Sequence, residues 1–375
     1  MKVTVTRDEL LTALQRVQGV VEKRNTMPIL ANILLEAKSE GLDILATDLE
    51  ISLRGFYKAT VDECGAVTFS ARKLLEILRE IKEPEIVLSV SETNVVHIKA
   101  GRSQFKVMGL PSQDFPVLPA IDRDGLIPVP GAGILDLLKK TLFAVGDNDT
   151  RYVLNGLFIL VSPQGQATQI RFVGTDGHRL AVAEQTVQIP REQSQAREMK
   201  VIIPKKAAYE MKRLLEEDET EPLLGFTKNL LIFRKSGLVL TSRLIEGNYP
   251  NYQQVIPKDS PQKIAVQREE LEGGLRRVSL LSRDKTYTVK LTFSRDHISL
   301  YASHPDIGEA TEEIPASFQG GDTFSAGFNA KYLLDVLNVL SEDQVTLQME
   351  SPLSPCLIRE GEATGFKAVV MPVKV

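Results

Sequence analysis

The chain has 375 residues, 43% of them hydrophobic and 25% charged, which excludes a disordered polypeptide and leaves room for two or three domains. Its longest apolar runs, such as Val369-Val370-Met371, fall far short of the ~20 residues of a membrane helix. Asp8 and Glu9 stand where a signal peptide would be apolar, so a cytoplasmic protein with no membrane partner is expected. A formal net charge of -4 removes the simplest case for a nucleic-acid binder, yet leaves open how the charge is distributed.

In chain order, Thr6-Arg7-Asp8-Glu9 reads as a capping box that fixes a helix start, and the ladder Leu10, Leu14, Val17, Val21 carries that helix over 6–24. A β-type segment at 67–70 leads into a second helix over 70–82, followed by strands at 86–90 and 95–99. Pro111, Pro116, Pro119, Pro128 and Pro130 then interrupt the pattern, because proline lacks a ladder donor and disfavours helix before it. The same order recurs. A helix over 130–145, on the ladder Ile134, Leu138, Leu142, Val145, precedes strands at 169–173 and 201–203 and a helix over 203–215. After Pro250, Pro257 and Pro261 come a helix over 267–285, on Leu271, Leu275, Val278 and Leu281, a strand at 289–293 and a helix over 328–340. The unit is therefore present three times, with boundaries near 122 and 255. This predicts three α+β domains at 1–122, 123–254 and 255–375. Cys64 and Cys356 are far apart and lack metal-type spacing, so both are expected as reduced core thiols.

The six helical segments carry formal charges of +1, +2, +1, +3, +1 and 0, a total of +8, which leaves -12 on the rest of the chain. Helix propensity alone draws Lys and Arg into helices. Threefold repetition adds a second reading, in which equivalent helices line one cationic face and the strands form the other. Helices packed 8 to 10 Å apart close a six-membered circle of only roughly 15 to 19 Å through their axes. Twelve give roughly 30 to 38 Å, enough for a duplex, so a ring around DNA requires two chains.

Six motifs lie along this repeat: Thr26-Met27-Pro28-Ile29-Leu30 with Ala46-Thr47-Asp48-Leu49-Glu50; Arg151 to Gly156; Thr175-Asp176-Gly177-His178-Arg179-Leu180-Ala181; Gly247-Asn248-Tyr249-Pro250-Asn251-Tyr252; Phe328 to Leu337; and Val370-Met371-Pro372-Val373. In this order, and over the whole length, the sequence resembles the β sliding clamps of bacterial DNA polymerase III. The resemblance implies three clamp domains per chain, helices inside and antiparallel sheets outside, closed into a ring as a head-to-tail homodimer. It implies a processivity factor with no chemistry of its own, no cofactor and no metal. The implied partners are encircled double-stranded DNA, bound without sequence preference, and polymerase subunits, the clamp loader and repair proteins, each bound through a short peptide.

Carried onto this sequence, the family's peptide pocket falls on Leu154, Thr175, Gly177, His178, Arg179, Leu180, Pro250, Val255, Leu353, Pro355, Val369, Val370, Met371, Pro372 and Val373. Gln254 and Thr286 depart from residues that some members carry there, an Arg and a Phe. The implied DNA contacts are Lys23, Arg24, Asn148, Arg151, Tyr152, Lys205 and Lys206, and the implied dimer contact holds Lys73, Phe105, Val107, Leu280 and Leu281.

Each signal also has a plainer reading. Asp176 and His178 could serve a metal-dependent hydrolase, but a turn histidine held by local hydrogen bonds is the commoner case. No Gly-x-Ser-x-Gly elbow or P-loop occurs, and Gly273-Gly274 reads as a weak point inside a helix. Lys205-Lys206 on its own reads as a solvated helix start, and Leu280 and Leu281 as core.

Overall fold

The computed structural model describes residues 1–21, 27–118, 126–165, 167–188, 198–258, 262–282, 287–361 and 365–374. Six α-helices lie in them: α1 (Arg7–Val17), α2 (Ala71–Glu80), α3 (Gly131–Thr141), α4 (Lys205–Leu215), α5 (Arg268–Val278) and α6 (Ala330–Leu337). All six lie within the expected helical segments, and several are shorter than expected.

Local bonding explains the shortening. At the start of α1 the Thr6 hydroxyl accepts from Glu9 N at 3.3 Å, one half of the capping box. The helix stops at Val17 because the amides of Val20 and Val21 both turn back to the Val17 carbonyl. Ser282 ends the α5 region by donating its amide and its hydroxyl to Ser279 O, which closes the 3-10 turn Ser279–Leu281. Phe328 and Asn329, expected as helix, belong to the strand Phe324–Asn329, and Asn329 caps α6 by accepting from Lys331 N at 2.9 Å. Gly274 is not a weak point in α5. A Cβ there would meet Leu300 Cδ1 at 2.7 Å, so the missing side chain lets the helix lie close on the strand His297–His304. Cys64 is exposed, contrary to expectation, whereas Cys356 is buried, and burial pushes its thiol up to about 12.

By contacts the chain forms two compact units, Met1–Ala132 with Lys206–Leu244, and Gly133–Lys205 with Ile245–Val375. Each joins sequence from two of the expected domains through strand pairing. In the first unit an eight-stranded antiparallel sheet runs from Ile127–Pro128 through Leu238–Arg243 and Ile51–Tyr57 to Gly65–Ser70. Pro128 is accommodated because its two-residue strand lies at the edge of that sheet. A five-stranded sheet in the same unit ends on the strand Ser103–Met108, whose one partner strand among the described residues is Val95–Ala100. The second unit holds a twelve-stranded sheet in which Arg179–Val187 pairs with Phe366–Val370. The long strand Gly308–Gln319 pairs with His297–His304 over 308–315, and then with Lys263–Gln267 over 316–319. Among the described residues, one edge of its first half therefore has no partner strand.

Candidate partner-binding groove

The groove of the second unit is built on a turn. Between the strands Ala167–Thr175 and Arg179–Val187, the Thr175 hydroxyl donates to Arg179 O at 2.6 Å and accepts from Gly177 N at 3.1 Å. The Asp176 carboxylate accepts from His178 N and Arg179 N at 2.9 and 3.0 Å, and from Arg179 Nε at 3.0 Å. Gly177 sits at φ +85°, which favours glycine, and a Cβ would lie 2.6 Å from the Arg151 guanidinium, so a side chain here would also displace that arginine. Arg179 is fixed further by Asp335 and by stacking over Tyr332, 4.5 Å from its ring centre.

This turn, the Tyr152–Asn155 3-10 turn, the Pro250–Val255 segment and the end of the last strand enclose a cavity of about 230 Å³. Its lining is Arg151, Leu154, Thr175, Gly177, Arg179, Leu180, Pro250, Tyr252, Val255, Val369 and Met371. Behind it lies an apolar cluster that includes Phe158, Val173, Leu180 and Val369, with Tyr249 stacked on Phe158 at 5.0 Å. Burial pushes the Tyr249 phenol up, and the O–H donates to Val173 O at 3.3 Å. Such a wall, largely apolar with a few fixed polar groups, suits a short apolar peptide better than a small charged molecule.

Nine of the fifteen residues expected in a pocket line this cavity. His178 contributes its backbone: its carbonyl accepts from Met371 N at 2.9 Å, while the ring stacks against Tyr332. Leu353, Pro355, Val370, Pro372 and Val373 do not line it. Val370 is excluded by strand alternation, since Val369 and Met371 face the groove and Val370 turns to the core on the other side. Val373 donates its amide to Gly327 O, which ties the tail down one step further on. Tyr252 was missed as a wall residue, although its motif was visible. Arg151, expected on DNA, also lines the groove. It holds Asp149 at about 2 through a charged hydrogen bond and donates to Asp176 O at 3.0 Å. Gln254 lies in the 3-10 turn Tyr252–Gln254.

The cationic residues are less free than their sequence suggests. On the observed bounds the helices carry a formal +5, and much of it is paired within the chain. Lys206 Nζ reaches the Asp48 carboxylate at 2.5 Å and Val20 O at 2.9 Å, so its ammonium is already held. Arg213 donates to the Gln15 and Arg16 carbonyls at the end of α1, Arg276 pairs with Glu272, and Arg277 with Glu312. Lys205 is half-buried and has no ion pair among the described residues, and Tyr152 is exposed. Asn148 takes a left-handed φ of +55°. Lys23, Arg24 and Thr286 lie outside the described residues.

Of the residues expected at a dimer contact, Phe105 and Val107 alternate along the edge strand Ser103–Met108, half-buried, and Met108 beside them is 75% exposed. Lys73 pairs with Glu76 on α2. Leu280 is 79% exposed, so the plainer reading as core is wrong for it, while Leu281 is half-buried. The Asp176 carboxylate is filled by the donors of its own turn, which leaves the hydrolase reading without a ligand set.

Helices in repeated pairs, long antiparallel sheets shared between neighbouring segments, and an apolar groove at one such junction define the architecture of a DNA-clamp protein. The DNA polymerase III beta subunit family matches in three consecutive segments: its N-terminal domain at residues 1–119, its central domain at 129–251 and its C-terminal domain at 253–374. The beta sliding clamp of Caulobacter vibrioides is 36% identical over 377 residues and that of Pseudomonas aeruginosa 33% over 376, each covering 100% of both chains. The crystal structure of the Pseudomonas aeruginosa beta subunit superposes with a TM-score of 0.90 at 33% identity, covering 100% of both chains. The Bacillus subtilis sliding clamp superposes with a TM-score of 0.91 at 28% identity, over 100% of this chain and 99% of that one. The chain belongs to the DNA polymerase III beta subunit family, the beta sliding clamps, which are non-catalytic processivity factors of DNA replication. Among the described residues no helix is long and apolar enough to cross a membrane.

Proposed function

We propose that two copies of this chain, each of three domains at 1–122, 123–254 and 255–375, close head to tail around duplex DNA in the cytoplasm. Polymerase subunits, the clamp loader and repair proteins dock by short linear peptides in the groove between Leu154, Thr175, Gly177, Leu180, Pro250 and Val369. The observation that carries this reading is that groove, preformed and apolar, on a chain whose relatives are sliding clamps throughout its length. Topological linkage keeps a weakly bound polymerase at high effective concentration on its template. Sliding then requires phosphate contacts without base reading, a role we assign to Lys23, Arg24, Asn148, Arg151, Tyr152 and Lys205, with Lys206 acting from its bond to Asp48.

Head-to-tail closure needs two different edges that complement each other. Among the described residues the strand Ser103–Met108 and residues 308–315 each have a partner strand on one side alone, and an unpaired edge invites pairing with another chain. We assign the contact between copies to these edges, with Phe105, Val107, Leu280 and Leu281 as its apolar centre and Lys73 at its margin. Sedimentation with small-angle scattering tests the proposal. A particle of twice the 41.5 kDa chain mass with a central hole is expected. A solid monomer at micromolar concentration contradicts it.

A further inference from the structure

The turn under the groove has a twin in the first unit. Thr47 Oγ1 donates to Ile51 O at 2.9 Å and accepts from Leu49 N at 3.0 Å. The Asp48 carboxylate accepts from Glu50 N and Ile51 N at 3.0 and 2.7 Å. These are the bonds of Thr175 and Asp176, position for position, and Leu49 holds φ +78° where Gly177 holds +85°. The strand after each turn pairs in the same way with the last strand of its unit: Ser52 lies opposite Thr241 as Leu180 lies opposite Val369. A half-buried or buried aromatic followed by proline, Phe115 or Tyr249, packs against each floor.

The backbone is repeated and the chemistry is changed. Where the apolar groove and the cluster behind it have Leu180, Val182 and Val369, the first unit has Ser52, Arg54 and Thr241. The cavity here is larger, about 730 Å³, with apolar surface from Leu45, Phe56 and Leu118. Its hydrogen-bonding capacity is lopsided. Asp43, only 3% exposed, is filled by Lys38 Nζ at 2.8 Å and by Arg54 Nε and Nη2 at 3.3 and 2.5 Å. The Ser52 and Thr241 hydroxyls share one hydrogen bond. Donors remain: Arg54 Nη1 has no partner among the described residues, and Arg234, two strands away in the same cross-strand row of the sheet, has no carboxylate within 4.0 Å there. The exposed Glu40 is the other acidic residue in the lining. A surplus of guanidinium donors over apolar patches recognises carboxylates carried on a partly apolar strand.

We propose that this cavity is a second docking groove, which takes an extended acidic peptide with its carboxylates on Arg54 and Arg234 and its apolar side chains on Leu45, Phe56 and Leu118. The two junctions of one chain thereby discriminate partners by chemistry, one groove apolar and the other cationic, and a single chain can hold two different segments at once.

The test uses the full-length protein and a fluorescein-labelled peptide, Glu-Val-Glu-Val-Glu-Val, titrated by anisotropy. Saturable binding is expected, weakened about tenfold by Arg234→Glu and by Gln in place of Glu in the peptide, and largely kept by Arg234→Lys. A benzophenone-bearing version should crosslink within residues 38–56, 118 or 234–241. No binding, equal binding of the Gln peptide, indifference to Arg234→Glu, or crosslinks confined to Thr175–Leu180 and Met371 would each overturn the proposal.

Discussion

Gly177 is the most exposed test of the groove's construction. Alanine there must hold φ near +85°, which costs an L-residue roughly 1 to 2 kcal/mol, and its Cβ would lie 2.6 Å from the Arg151 guanidinium. The free protein can relax by reshaping the turn. A bound peptide needs the turn as it stands, so the strain reappears on binding. Transmitted in full, it weakens a docked partner peptide by about fivefold to thirtyfold. Gly237→Ala is the control, because Gly237 also has a positive φ, +79°, but nothing lies within 4 Å of its Cβ and it is remote from this groove in sequence and unit. Fluorescence anisotropy with a labelled, largely apolar peptide from a polymerase subunit reads both variants, with thermal melts to establish folding. A folded Gly177→Ala protein that binds within twofold of the parent would refute the idea that this turn is preset for the ligand.

Phe105→Asp places an unpaired charge in the contact proposed between copies, and sedimentation should then show monomers. An unchanged dimer means that the strand Ser103–Met108 is not the contact. Deleting Met371 to Val375 removes the bond from Met371 N to His178 O and one wall of the groove, so peptide binding should vanish while the dimer persists. Retained affinity would remove the tail from the site. Asp43, despite burial that works the other way, is held below the ordinary carboxylate range by its bonds to Arg54 and Lys38. A depressed folded value means stability that is present above about pH 4 and lost as pH falls through the folded value. Urea midpoints measured down this acid limb should therefore fall less steeply in Asp43→Asn, and an unaltered slope would show that the pair does not act on folding.

The helices, their apolar faces and their threefold recurrence were legible because each ladder buries four or so residues at a regular spacing, which a linear sequence displays directly. Helix ends were not, since Val17 and Ser279 terminate helices through backbone turns that carry no strong side-chain signal. The groove was legible in its motifs, but not in which residue of each motif faces it: strand alternation removes Val370 and keeps Val369, and only the strand register reveals that. The charge argument proved the least secure. Lys206, Arg213 and Arg277 read as a cationic face by count, yet their partners Asp48, Glu210 and Glu312 come from elsewhere along the chain or from one turn away. Pairing is a property of three dimensions, and a tally of charge by element does not contain it. The repeat of the Thr175 turn at Thr47 was also present in the sequence as two Thr-Asp pairs, but glycine in one and leucine in the other hid a common backbone.

Retention on DNA tests the central claim most directly. The protein is loaded on nicked circular duplex with a clamp loader and ATP, and the circle is then linearised. A topologically linked ring stays on the circle and runs off the open ends, whereas equal retention on both forms would mean that the protein grips DNA by contact alone and encircles nothing.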